Sequence, residues 1–167
     1  VSITANQVNN GSFDNCAVAT LAIDQTSFNC ALVGSNTVTL TVTDVNGNSS
    51  TCTSEVSVQD TIAPNATCTP LVVQLDASGN ATIAPEQIDL NSSDNCAVDN
   101  LSLDQDTFNC SQVGSNTVTL TVTDVNGNSS TCTATVIVEE NIAPVAICQD
   151  ITVYLDAMGD VGILASD

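Results

Sequence analysis

The clearest pattern in the chain is strict alternation. In NTVTLTVTD, residues 116–124, the apolar Val118, Leu120 and Val122 are separated by Thr117, Thr119, Thr121 and Thr123. Successive side chains of a strand point to opposite faces, so this period of two predicts a half-buried strand with an apolar inner face. TCTATVIVE (131–139) follows the same rule, and between the two lies Asn126-Gly127, which predicts a type I′ hairpin turn. Upstream, LVVQLD (71–76) reads as a strand, ASGN (77–80) as a turn, and ATIA (81–84) and VDNLSLD (98–104) as further strands. No segment sustains an apolar period near 3.6. Short strands divided by turn signals predict an all-β fold of immunoglobulin-like sandwich type.

The pattern is written twice. Residues 33–53 and 113–133 are identical over 21 positions, and FDNCAV (13–18) returns as SDNCAV (93–98). QTSFNC (25–30) returns as DTFNC (106–110), QDTIAPNATC (59–68) as ENIAPVAIC (140–148), and VVQLDASGNATI (72–83) within ITVYLDAMGDVGI (151–163). The cysteines at 16, 30, 52 and 68 recur at 96, 110, 132 and 148, each 80 residues later. These repeats predict tandem units of about 80 residues: an Ig-like unit lacking its first strand at 1–61, a complete one at 62–141, and the beginning of a third at 142–167. The chain reads as a window on a longer array. Verbatim copying suits a scaffold or extended binding surface, and a non-enzyme is expected. The joints QDTIAP (59–64) and EENIAP (139–144) carry a proline that enforces extended backbone, so a semi-rigid rod is expected.

Composition narrows the setting. The 167 residues are 43% hydrophobic, so a packed core is expected, but only 2% are aromatic, so it must be built from aliphatic residues and cystine. There are 19 acidic residues and no Lys, Arg or His, so no side-chain salt bridge can form. Nucleic acid is excluded as a partner because phosphate contacts need cationic side chains. Anionic membrane surfaces are disfavoured for the same reason, and no stretch approaches the roughly 20 apolar residues of a membrane span. Every carboxylate must be solvated, bonded to backbone or hydroxyl donors, or neutralised by a cation; calcium, which takes hard oxygen ligands, is the candidate cofactor. Eight cysteines without His or a C-x-x-C motif argue for disulfides in an oxidising compartment, not for zinc or redox catalysis.

Taken together, DNCAV, FNCSQVGSNTVTLTVTD, DVNGN and IAPVAIC resemble HYR-type immunoglobulin-like repeats. More narrowly, they resemble the cysteine-containing tandem repeats of giant surface adhesins of Bacteroidota, including those of gliding motility. The resemblance covers essentially the whole chain. It implies an extracellular filament attached at the outer membrane, exported by type IX secretion. Its implied partners are neighbouring repeats, surface polysaccharide or glycans, and motility or anchoring machinery.

Four cysteines per unit allow three pairings. First and last strands of a sandwich can run parallel, which sets Cys68 level with Cys132, and the resemblance points the same way. That leaves Cys96–Cys110 and, by translation, Cys16–Cys30. The rival, Cys52–Cys68 with Cys132–Cys148, keeps all eight inside the chain but folds a strand and joint back on themselves. With strands running alternately, Asp60, Asp94, Asn95, Asp124, Asn126 and Asn128 fall at one pole, and Asp14, Asn15, Asp44, Asn46 and Asn48 form the analogous group; these are the candidate calcium ligands. DVNGN lacks the distal Glu of an EF-hand loop. The Thr row reads as a strand's solvent face and not an ice-binding array. Asp104 and Asp106 lack the aromatic platform and cleft of a glycosidase. Asp60-Thr61-Ile62 resembles a short O-glycosylation sequon.

Overall fold

The computed structural model describes residues 1–163 and is all-β. Its strands are β1 (Val18–Ile23), β2 (Gly34–Asp44), β3 (Ser49–Val58), β4 (Leu71–Gln74), β5 (Asn80–Thr82), β6 (Val98–Leu103), β7 (Thr107–Asn109), β8 (Gly114–Asp124) and β9 (Ser129–Glu139). They form a sheet β1-β2-β3, a sheet β4-β9-β8-β6 and a two-stranded sheet β5-β7. The last two face each other as an Ig-like sandwich. β4 runs parallel to β9, and the other pairs are antiparallel. β7, too short to show alternation, was not anticipated. One four-residue helix, Ala5–Val8, stands where the second unit has a 3-10 turn at Pro85–Gln87.

The alternation does what it predicts. Val118, Leu120 and Val122 of β8 and Ala134, Val136 and Val138 of β9 are buried, closed over by Leu75, Ala81, Ile83, Ile88 and Phe108. Ala66, Cys68, Leu71 and Val73 pack against this core from the β4 side. Full burial of each such aliphatic chain stabilises the fold by roughly 1.5–3 kcal/mol.

The hairpin tip differs from the expected type I′ turn. Gly127 donates to the carbonyl of Asp124, and the Asp124 N–H to the carbonyl of Asn128, so three residues, Val125-Asn126-Gly127, form the loop. Gly127 has φ +91° and Asn126 is not left-handed, whereas type I′ needs both central residues at positive φ. The arrangement is a type I turn closed by a left-handed glycine. The same turn opens on Asp44, Asp76 and Asp156, each accepting N–H groups two and four residues on through one carboxylate oxygen.

The disulfides require a correction. Cys68–Cys132 forms, with Cα atoms 5.9 Å apart, tying the segment before β4 to β9. Cys96 bonds not to Cys110 but to Cys30, with Cα atoms 5.3 Å apart, so neither Cys96–Cys110 nor Cys16–Cys30 exists. The reason is length. Cys96 lies just before Val98, which pairs with Asp124 at one end of β8, whereas Cys110 lies just before Gly114 at the other. An eleven-residue strand spans about 36 Å, far beyond the roughly 7 Å limit for bridged Cα atoms. Cys16, Cys52, Cys110 and Cys148 are free and exposed. The rival set, Cys52–Cys68 with Cys132–Cys148, is also absent.

Candidate functional site at the joint between repeats

Cys30 sits on a 3-10 turn, Cys30–Leu32, held at both ends by its own sequence. Asn29 accepts from the Ala31 N–H at 3.1 Å, and Asn36 donates to the Leu32 carbonyl at 2.7 Å. The FNC and GSN motifs therefore fix the place from which the sulfur projects. On the other side, Asp94 accepts the Cys96 N–H at 2.8 Å and holds the DNC loop in an Asx turn. The disulfide joins these two presentations across the joint, closing a separation of 66 residues.

The joint is fastened elsewhere too. The Ser130 hydroxyl donates to the Pro64 carbonyl at 2.5 Å, and Pro64 is buried. Asn65 and Ser93 exchange backbone hydrogen bonds. Asn95 donates through its amide to an Asp60 carboxylate oxygen at 3.2 Å, and that oxygen also takes the Ile62 N–H. Asn128 bridges, its amide donating to Asp124 at 2.8 Å and to the Asp60 carbonyl at 3.3 Å.

Of the candidate calcium ligands, Asp60, Asp94 and Asn95 meet, and Asn128 links them to Asp124. One oxygen of Asp60 (Oδ2) and one of Asp94 (Oδ1) are buried without any hydrogen-bond partner. Asp60 and Asp94 also each place a carboxylate oxygen in one group with the Cys96 sulfur, which is in the disulfide, spanning no more than 4.8 Å. Two orphaned carboxylate oxygens in a chain without basic side chains are donors that suit a hard divalent cation. Asp124 is not free to join them: both its oxygens are occupied, by Asn126 N–H, Asn128 N–H and the Asn128 amide. Asp124 is only 2% exposed. Burial opposes its charge, but the Asn128 amide and the N–H groups of Asn128, Asn126 and Gly127 outweigh it and hold the carboxyl below its ordinary value. Asn126 contributes its N–H to Asp124, and its side chain is exposed.

In the first unit, Asp14 and Asp44 line one hollow with Asn48. Asp14 holds the Cys16 N–H at 2.8 Å, as Asp94 holds Cys96. Asp44 is bound by Asn46 N–H and by Asn48 through N–H and amide, and the Asn48 amide is the main cause of its lowered pKa. Asn15 and Asn46 lie on the same two loops and are exposed. Asp104 is committed to the fold: it accepts the Thr119 N–H at 2.8 Å, which lowers its pKa. The sequence places Asn128 at this pole but does not reveal its bridge to the Asp60 carbonyl, and Ser130, the clamp on Pro64, carries no signal because it looks like an ordinary strand-end residue.

No protein-family profile matches the chain, and no curated protein sequence does. Among solved structures, it is similar to the protocadherin gammaB7 EC3-6 cis-dimer, at 20% identity over 70% of this chain and 34% of that one, with a TM-score of 0.35. A second is the endo-fucoidan hydrolase MfFcnA9 of glycoside hydrolase family 107, at 14% identity over 72% of this chain and 28% of that one, with a TM-score of 0.23. The chain thus spans about a third of the first structure's length and less of the second's. Neither likeness bears on function.

Proposed function

We propose that the chain is a structural stretch of the stalk of a secreted bacterial cell-surface adhesin, without catalytic activity. The observation that supports this reading best is Cys30–Cys96, which fastens one repeat to the next. The two disulfides interleave in sequence as 30, 68, 96 and 132. Under tension, the covalent route from Cys30 to Cys132 runs to Cys96, back to Cys68 and across, leaving 28 residues where the unbridged chain has 102. Such a module extends little even after unfolding. The absence of basic side chains adds mutual repulsion between neighbouring filaments. The resemblance to gliding adhesins makes motility or anchoring machinery the fitting partner of the whole protein, at the cell surface.

Single-molecule pulling on the chain tests the mechanical part. Reduction should lengthen the fully extended chain by about 250 Å, the 74 residues freed at 3.3–3.6 Å each. Traces unchanged by reductant would sink the reading.

A second reading is a calcium-dependent adhesive module for surface polysaccharide, favoured by the orphaned oxygens of Asp60 and Asp94. Calcium there would neutralise two facing carboxylates and stiffen the joint. It predicts saturable glycan binding by the chain that is lost on chelation; the stalk reading predicts none under either condition.

A further inference from the structure

The two disulfides differ in what surrounds them. Cys68–Cys132 belongs to the body of the second unit. Both cysteines are half-buried and pack against its core, as Ala66, Leu71 and Val73 do. Cys132 lies on β9 opposite the fully buried Leu120 of β8. Cys68 bridges to Asp89, and its neighbour Thr69 donates to the Ile88 carbonyl at 2.9 Å. A thiol reaches these sulfurs only when the sheet or the segment before β4 opens, and such local opening costs free energy.

Cys30–Cys96 lies outside any core. Cys30 is exposed, on a three-residue 3-10 turn with no buried member, and Cys96 is half-buried in the DNC loop. A hollow of about 300 Å³ opens at the pair, lined in part by Cys30, Val33, Ile62, Asn95 and Cys96. In the second unit the turn at 77–80 lies against the equivalent Cys110, whose sulfur is 3.7 Å from the Gly79 carbonyl, and Cys110 is still exposed. Such a turn does not by itself cover this position.

The bond also holds something different. Segment 60–65 is fastened to the second unit: Asn95 and Asn128 hold Asp60, Ser130 holds Pro64, and Ser93 holds Asn65. The first unit ends at Val58 of β3. Among the described residues, no hydrogen bond joins 1–58 to 62–141 apart from a 3.5 Å contact of the Cys30 sulfur itself with the Asn95 carbonyl. Once the disulfide opens, the covalent connection left at the joint is the chain through Gln59.

We propose that Cys30–Cys96 is a redox-operated lock on the joint. A small dithiol opens it while Cys68–Cys132 stays closed, and the joint becomes a hinge at Gln59. The proposal depends on the two disulfide environments and not on the stalk reading.

The step is thiol–disulfide exchange. A thiolate of the dithiol attacks the sulfur of Cys30, the exposed partner, and forms a mixed disulfide. The Cys30–Cys96 bond breaks, and Cys96 leaves as a thiolate that takes a proton. Attack at Cys96 is opposed by the Asp60 and Asp94 carboxylates, which lie within 4.8 Å of its sulfur. The second thiolate of the dithiol then attacks the dithiol sulfur of the mixed disulfide and releases Cys30, which also takes a proton. The dithiol is oxidised to a cyclic disulfide, and the protein disulfide is reduced to two thiols carrying the two protons. An oxidised dithiol runs the same steps backwards and closes the lock.

The test uses the whole chain in its native state. Cys16, Cys52, Cys110 and Cys148 are first blocked with iodoacetamide. Dithiothreitol is added, samples are quenched with N-ethylmaleimide over time, and the chain is cut at acidic residues for mass spectrometry. Cys30 and Cys96 should be labelled together, roughly tenfold or more faster than Cys68 and Cys132. In denaturant, where both pairs are exposed, the gap should close. The species labelled at Cys30 and Cys96 alone should show a wider spread of particle dimensions by small-angle scattering than the oxidised chain. Equal rates in the native state, Cys68–Cys132 opening first, a gap that persists in denaturant, or unchanged scattering would each overturn the lock. Equal rates would leave the lengthening under tension untouched, so the failure of this proposal is distinct from the failure of the stalk reading.

Discussion

The same seventeen residues, TVTLTVTDVNGNSSTCT, form β2–β3 in one place and β8–β9 in another, with matching ladders and the same tip. Yet Val122 and Asp124 are buried where Val42 and Asp44 are half-exposed, and Cys132 is bonded where Cys52 is free. Local sequence is therefore enough to make the hairpin. What it does not supply is the closure, which comes from 60–75: Asp60 and Pro64 clamp the tip through Asn128 and Ser130, and β4 covers the side. Burial and bonding of an identical segment are decided by what arrives from outside it.

That contrast is sharpest in the core. Leu120→Ala and the equally buried Leu40→Ala should each cost about 2–5 kcal/mol, whereas Val42→Ala, half-buried beside an open hollow, should cost less than Val122→Ala at the fully buried equivalent. Native-state hydrogen exchange of each hairpin separates the two valines; equal losses there would deny that the first unit is less closed. Next in size, C68S/C132S should destabilise the second unit by about 4 kcal/mol on a chain-entropy estimate for a 64-residue separation. C52S should leave stability unchanged, because it removes no bond. Denaturant unfolding followed in each unit checks both.

Acid should blur the difference. Asp44 and Asp124 are both held below their ordinary pKa in the folded chain, so their stabilisation is present above the unfolded carboxylate range and is lost as pH falls through the lower folded values. Amide exchange at Asn46, Asn48, Asn126 and Asn128 should quicken below about pH 4. Tips whose protection is indifferent to acid would contradict the role given to these carboxylates. The smallest effect is expected outside: Thr117→Val and Thr37→Val, on exposed faces, should each shift stability by less than about 0.5 kcal/mol.

Much of this was legible in the residues. Alternation placed β8 and β9, and the parallel first and last strands placed Cys68 against Cys132. Convergence of Asp60, Asp94 and Asn95 at one pole followed from counting strand directions. Cys30–Cys96 did not, because neither set of pairings, Cys68–Cys132 with Cys96–Cys110 or Cys52–Cys68 with Cys132–Cys148, joins Cys30 to the following unit. The length of β8, itself readable, already put Cys96 and Cys110 at opposite ends. The tip was misjudged because Asn-Gly fits two turns, and the choice is made by Asp124, whose carboxylate collects the N–H groups of Asn126 and Asn128. The bridging of Asn128 depends on the approach of a distant segment, which no local pattern encodes.

Cys30–Cys96 fastens the joint between the two units, and the stiffness of that joint is directly measurable. Small-angle scattering of the oxidised chain against C30S/C96S should show a narrower spread of particle dimensions for the bonded form and a wider one for the variant. Superposable profiles would mean that Cys30–Cys96 does not hold the two units together.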